Sequence, residues 1–201
     1  MSARRLLKIL LPLTLATTVF MPIACGPELE KTSIDCPPGD AANFRRVSKV
    51  IEFHCGTLDC HGNSFRPLRI YGKDGLRKPV ALDAEGNLPE DAGFSPSDWP
   101  NYHTGGIETT EPELLENARS LCGLEPEMIA EFRERVGKED EDEAPVLAGE
   151  LLTIVRKPRL EERHKGGRVW RVNDNPDQCL VQWLIPVEPG TLVNQAACEH
   201  F

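Results

Sequence analysis

Cys55-Gly56-Thr57-Leu58-Asp59-Cys60-His61 decides how this chain is read. Two thiols bracket a four-residue gap, and an imidazole follows the second thiol directly. Upstream, Phe44, Val47, Ile51 and His54 recur at helical spacing, with Arg45, Arg46 and Lys49 off that face. That pattern predicts an amphipathic helix over 41–54, capped by Asp40, running straight into the cysteine loop. Downstream, 62–72 reads as a turn and a short extended piece, Pro67 to Tyr71. From 73 to 106 the turn residues Gly75, Gly86, Pro89, Gly93, Pro96, Pro100 and Gly105-Gly106 predict long loops.

Further along, Thr110 or Glu111 opens a helix whose stripe is Leu114, Leu115, Ala118 and Leu121, and Gly123 ends it. Pro126 opens another, with Met128, Ile129, Phe132 and Val136 inward. The run from Lys138 to Glu143 reads as a solvated acidic loop. Gly149 to Val155 fits either a helical turn or a strand, and Gly166-Gly167 bends the backbone between Arg163 and Val172. A last short apolar helix spans Asp177 to Ile185, capped by Asn175 or Asp177 and stopped before Pro186. The expected fold class is mainly α, a small helical domain over 41–185 with long irregular loops and an inserted helical and acidic segment, followed by a tail over 186–201.

The cysteine loop admits three chemistries. C-x4-C-H is a stretched form of C-x-x-C-H, the signature of covalent haem attachment. Cys55 and Cys60 would then form thioethers to the two vinyl groups of heme c, and His61 would be the proximal iron ligand. Alternatively the two cysteines pair as a structural disulfide, leaving a stapled exported module with a structural or binding role and no haem. Zinc held by Cys55, Cys60, His61 and one more ligand is the third reading; export disfavours it, because thiolates there tend to be oxidised first.

The N-terminus supplies the compartment. Arg4, Arg5 and Lys8 precede an apolar run from Ile9 to Ala24, which reads as a signal peptide over 1–24. Pro22-Ile23-Ala24-Cys25 resembles the lipobox of bacterial lipoproteins, which implies lipidation at Cys25 and anchoring to a membrane face. Pro22 stands where that pattern has leucine, and Gly26 after the cysteine favours the outer membrane over the inner. Residues 25–40 read as a proline-rich tether containing Cys36, and no other stretch is long enough to span a bilayer. With Cys25 on lipid, six of the seven cysteines remain. If Cys55 and Cys60 hold haem, Cys36, Cys122, Cys179 and Cys198 can form two disulfides in three alternative pairings. A net charge of −9 argues against nucleic acid as a partner. No Ser-His-Asp set, paired-carboxylate motif or phosphate-binding glycine loop points to an enzyme.

From Ala41 to Ile185 the chain resembles the small cytochrome c family, and more closely its exported bacterial members. The carrying motifs are Cys60-His61-Gly62, then Leu151-Leu152 with Lys157-Pro158 and His164-Lys165-Gly166-Gly167, and a final Leu180-Val181-Gln182-Trp183. Most such domains have two residues between the cysteines where this chain has four. The resemblance implies an all-α domain binding one haem c, electron transfer as the activity, and a redox partner protein. It implies that helices 41–54 and 177–185 cross and close a pocket shielded by Phe44, Phe53 or Trp183. His164 is the first choice for the distal iron ligand, since its Gly-Gly bend lets the backbone approach a flat ligand; Met128 is the second. Arg66 and Arg69 are candidates to pair with the haem propionates. Were the iron five-coordinate, peroxidase-like chemistry would become open to it.

Overall fold

Helix α1 (Ala41–Cys55) forms where the apolar spacing predicts it. Phe44, Val47, Val50 and Ile51 are all buried along one face. The computed structural model describes residues 41–136, 143–185 and 195–199, all within one unit, Ile34–Phe201. The signal peptide, Cys25, the tether with Cys36, the acidic run over 138–142 and most of the 186–201 tail lie outside the described residues.

Six more helices follow: α2 (Trp99–Tyr102), α3 (Glu111–Cys122), α4 (Pro126–Val136), α5 (Ala144–Leu151), α6 (Thr153–Arg159) and α7 (Asn175–Leu184), with 3-10 turns at Pro96–Asp98 and Gln195–Cys198. Among the described residues there is no strand, only isolated bridges pairing Thr57 with Gly75 and Tyr71 with Leu76. The fold is mainly α. Helix α1 packs on α3 and α7, and α5 links α4, α6 and α7. The fully buried Trp183 of α7 lies against Phe44 of α1, ring centres 5.0 Å apart. No helix among the described residues is long and apolar enough to cross a membrane.

Differences from the sequence reading have local causes. Gly149 to Val155 is neither a single turn nor a strand; it spans the break between α5 and α6, where Leu152 leaves helical backbone (ψ 116°). Asp174, not Asn175 or Asp177, stands at the N-cap position of α7, and its side chain accepts the Arg171 N–H rather than capping the helix. Asp177 instead lies inside α7, fully buried, and its carboxylate takes a two-pronged ion pair from Arg159 of α6 at 2.7 and 2.9 Å. The predicted extended piece at Pro67 to Tyr71 makes one bridge and no strand.

The long loop over 73–110 is pinned by a buried carboxylate on α3. Glu113 accepts the Thr110 N–H (2.9 Å) and the Lys78 N–H (3.0 Å), and pairs with buried Arg77 at 3.0 Å. The Tyr102 hydroxyl lies 2.9 Å from the same carboxylate, under the Arg77 guanidinium. A buried charge is tolerated only when this fully hydrogen-bonded.

Two bonded cysteines close the C-terminal side. Cys179 of α7 is bridged to Cys198, which settles that pair among the alternatives; Cys122 is disulfide-bonded as well. Replacing Cys179 and Cys198 by alanine opens a crosslink of sequence separation 19. The expected loss is about 3 kcal/mol, read as a lower denaturant midpoint.

Candidate functional site

The site begins where α1 ends. The Gly56 N–H still donates to Glu52 O (2.9 Å), and the loop then folds back so that the His61 N–H donates to Cys55 O at 2.8 Å. Cys60 and Gly62 both donate to Thr57 O, at 2.9 and 3.0 Å. The turn is tight because three glycines meet in it. A Cβ on Gly62 or on Gly75 would lie 1.8 or 1.9 Å from Gly56 O, closer than any side chain can come. Beneath the loop, Glu52 accepts hydrogen bonds from the hydroxyls of Ser48 and Thr109. Burial raises the Glu52 pKa despite those bonds.

Cys55 and Cys60 are both thiols and are not joined to each other. Burial, and secondarily the neighbouring Cys60, pushes the Cys55 thiol up to about 12. Such a sulfur stays protonated at neutral pH and is a poor nucleophile, which argues against thiol–disulfide exchange.

His61 is braced by the segment that follows it. Its carbonyl accepts the Ile70 N–H (2.9 Å), and its Nδ1 lies 3.1 Å from Leu68 O. A carbonyl oxygen can only accept, so Nδ1 carries the proton and the lone pair sits on Nε2. Burial lowers the His61 pKa; the bond to Leu68 opposes this, while His164, Arg66 and Lys157 add to it. The ring is therefore neutral at neutral pH, the form that binds metal.

His164 reaches the same place from the other end of the chain. Helix α6 stops at Leu160, whose backbone is left-handed (φ 62°), and the loop returns so that the Val169 N–H donates to Pro158 O at 2.8 Å. Within it, His164 Nδ1 lies 2.9 Å from Gly167 O, and the Gly167 N–H donates back to His164 O at 3.0 Å. Gly167 has φ 73°, which the Gly-Gly pair makes possible. His164 thus repeats the arrangement of His61, with Nδ1 protonated and held by a backbone carbonyl.

The two imidazoles lie 6.3 Å apart, centre to centre, with planes only 10° from parallel.

The other sequence candidates are placed differently. Met128 packs against the core from α4. Of the three aromatic rings expected to shield a bound group, Phe44 and Trp183 are spent on each other inside the core, and only Phe53 is exposed. Arg66 and Arg69 are exposed and donate to the backbone carbonyls of Cys60 and Arg66. The carbonyls of Leu68 and Gly167, and the crowding at Gly56, escaped sequence reasoning; the glycines were the one available signal.

Among the described residues, no three His, Cys, Asp or Glu side chains cluster so as to hold a metal ion between them. That counts against the zinc reading, which needs four protein ligands. No protein-family description gives a significant match to this chain, and neither does any curated protein or solved structure.

Proposed function

We propose that this chain is an exported, cytochrome c-like electron-transfer protein that carries one haem c, anchored to the cell envelope by lipid on Cys25. Cys55 and Cys60 would hold the haem through their sulfurs, and His61 and His164 would supply imidazole nitrogens to its iron. The observation that carries this reading is the pair of near-parallel imidazoles 6.3 Å apart, each with Nδ1 turned to a backbone carbonyl. The residues present fit the group. Metal-bound histidines regularly donate their other ring N–H to such an oxygen, which fixes the tautomer and the ring's orientation.

Haem iron supplies a one-electron change between ferrous and ferric states. The chain's residues do the rest. Leu68 O and Gly167 O hold the rings against rotation, so neither ligand needs to rearrange when the charge changes. Cys55 and Cys60 would supply the two sulfurs that tether the group. Phe53, Leu58 and Phe65, in and beside the cysteine loop, are 69, 62 and 92 % exposed. With both imidazoles engaged in holding the group, electron transfer would be favoured over peroxidase chemistry.

The test is covalent haem on the denatured polypeptide. Co-expressed with a cytochrome c maturation system, the wild-type chain is expected to show a pyridine haemochrome spectrum after denaturation, and the Cys55→Ala/Cys60→Ala variant none. A denatured wild-type chain with no haem and no free thiols would sink the proposal in favour of the disulfide-stapled module.

A further inference from the structure

A cleft of about 270 Å³ opens between α5 and the loop that follows α6, lined by Val146, Gly149, Glu150, Arg159, Glu161 and Val172. Its two valines are 61 and 42 % exposed, apolar surface that the core leaves outside. Arg159 lines it from a buried position, its side chain only 2 % exposed. A guanidinium carries five N–H donors. Among the described residues Arg159 commits three of them: two to Asp177 and one, from Nη1, to Pro145 O at 2.8 Å. Glu161 stands 3.8 Å from Nη1, too far to accept either of the remaining two. Gly149 makes the room. A Cβ there would lie 2.5 Å from Arg159 Nη1 and 3.0 Å from the Glu161 carboxylate, although glycine inside a helix costs about 1 kcal/mol relative to alanine. The remaining wall is acidic. Glu150 is exposed, and its carboxylate has no hydrogen-bond partner among the described residues. Arg156, which donates to the Glu150 carbonyl, is paired with Glu162 instead.

We propose that this cleft binds a free α-amino acid with a short apolar side chain. Asp177 neutralises Arg159, so a ligand meets two spare N–H donors and two carboxylates, Glu150 and Glu161. A lone anion would be repelled by the glutamates. A lone amine would leave the guanidinium donors unanswered. A zwitterion satisfies both: its carboxylate accepts from Arg159 in place of the distant Glu161, and its ammonium donates to Glu150 and Glu161. Val146 and Val172 then cover its side chain. Pockets for larger organic ligands span about 300–1,000 Å³, so this smaller volume suits one amino acid and not a peptide. None of these groups takes part in holding haem.

Isothermal titration calorimetry on the full chain tests it, with L-valine as the probe. Isobutylamine is valine without its carboxylate, and isovalerate is valine without its ammonium; each is expected to bind at least about tenfold more weakly than valine. The E150Q/E161Q variant should weaken valine by about tenfold as well. V146W fills the cleft from an exposed position and should abolish binding while circular dichroism stays that of the wild type. No valine binding to the wild type at about 10 mM overturns the proposal. Isobutylamine or isovalerate binding as tightly as valine overturns the zwitterion, the first by removing Arg159 from recognition and the second by removing the glutamates. Valine affinity unchanged in V146W puts the ligand elsewhere and overturns the cleft. Haemochrome content of the same samples keeps the two readings apart, since a haem-free chain that binds valine sinks the haem and leaves the cleft standing.

Discussion

Asp177→Ala is expected to destabilise the fold by about 3–5 kcal/mol, because it leaves the Arg159 guanidinium buried without its counter-charge. Arg159 is 4 % exposed and Asp177 is fully buried, and two N–H donors meet two carboxylate oxygens at 2.7 and 2.9 Å. Nothing nearby replaces the lost carboxylate: the other partners of Arg159 are Pro145 O at 2.8 Å and a half-exposed Glu161 at 3.8 Å. Asp177 also accepts the Asn173 N–H at 2.9 Å, so its removal loosens the far end of the loop that carries His164. Chemical denaturation followed by far-UV circular dichroism measures the loss. The double change Arg159→Met/Asp177→Leu should recover most of it, since a buried ion pair is often no better than well-packed apolar groups. A single-variant loss under about 1 kcal/mol would show that the pair is hydrated in solution.

If the chain carries haem as proposed, His164→Ala should leave it on the denatured chain and change the folded protein's spectrum from low-spin to high-spin. Added imidazole should restore the low-spin spectrum by filling the vacated position. Met128→Leu is the control. Met128 packs against the core, so its replacement by a side chain of similar volume should leave the spectrum unchanged and cost less than about 1.5 kcal/mol of stability. If Met128→Leu shifts the spectrum and His164→Ala does not, the axial assignment moves to the thioether. Gly167→Ala tests the support beneath the ligand: the left-handed backbone penalises a Cβ by about 1–2 kcal/mol and displaces the carbonyl that holds Nδ1.

Helices α1, α3 and α4 were legible because apolar spacing and flanking Asp, Thr, Gly and Pro agree there. The break between α5 and α6 was not. Ala144 to Leu152 is apolar nearly all round, so periodicity carries no face information, and the boundary depends on the backbone of Leu152 alone. Asp177 looked like a helix cap because acids favour that position; its role depends on Arg159, eighteen positions away and invisible to a local pattern. The two histidines were legible as candidates, one beside a cysteine and one before a Gly-Gly bend. Their near-parallel approach was not, since it follows from how α6, Pro158 and the 160–170 loop return the chain to the end of α1. The carbonyls that hold the rings come from Leu68 and Gly167, and a backbone oxygen leaves no trace in residue identity.

The burial of the Cys55 sulfur imposes an order of events. Its protonated thiol is only partly exposed at the end of α1, beside a turn in which Gly62 and Gly75 close on the Gly56 carbonyl. Machinery that must reach that sulfur has to do so while the polypeptide is still open, so loading on this reading is a race against chain closure, and a slower-folding variant should mature more completely than a fast one.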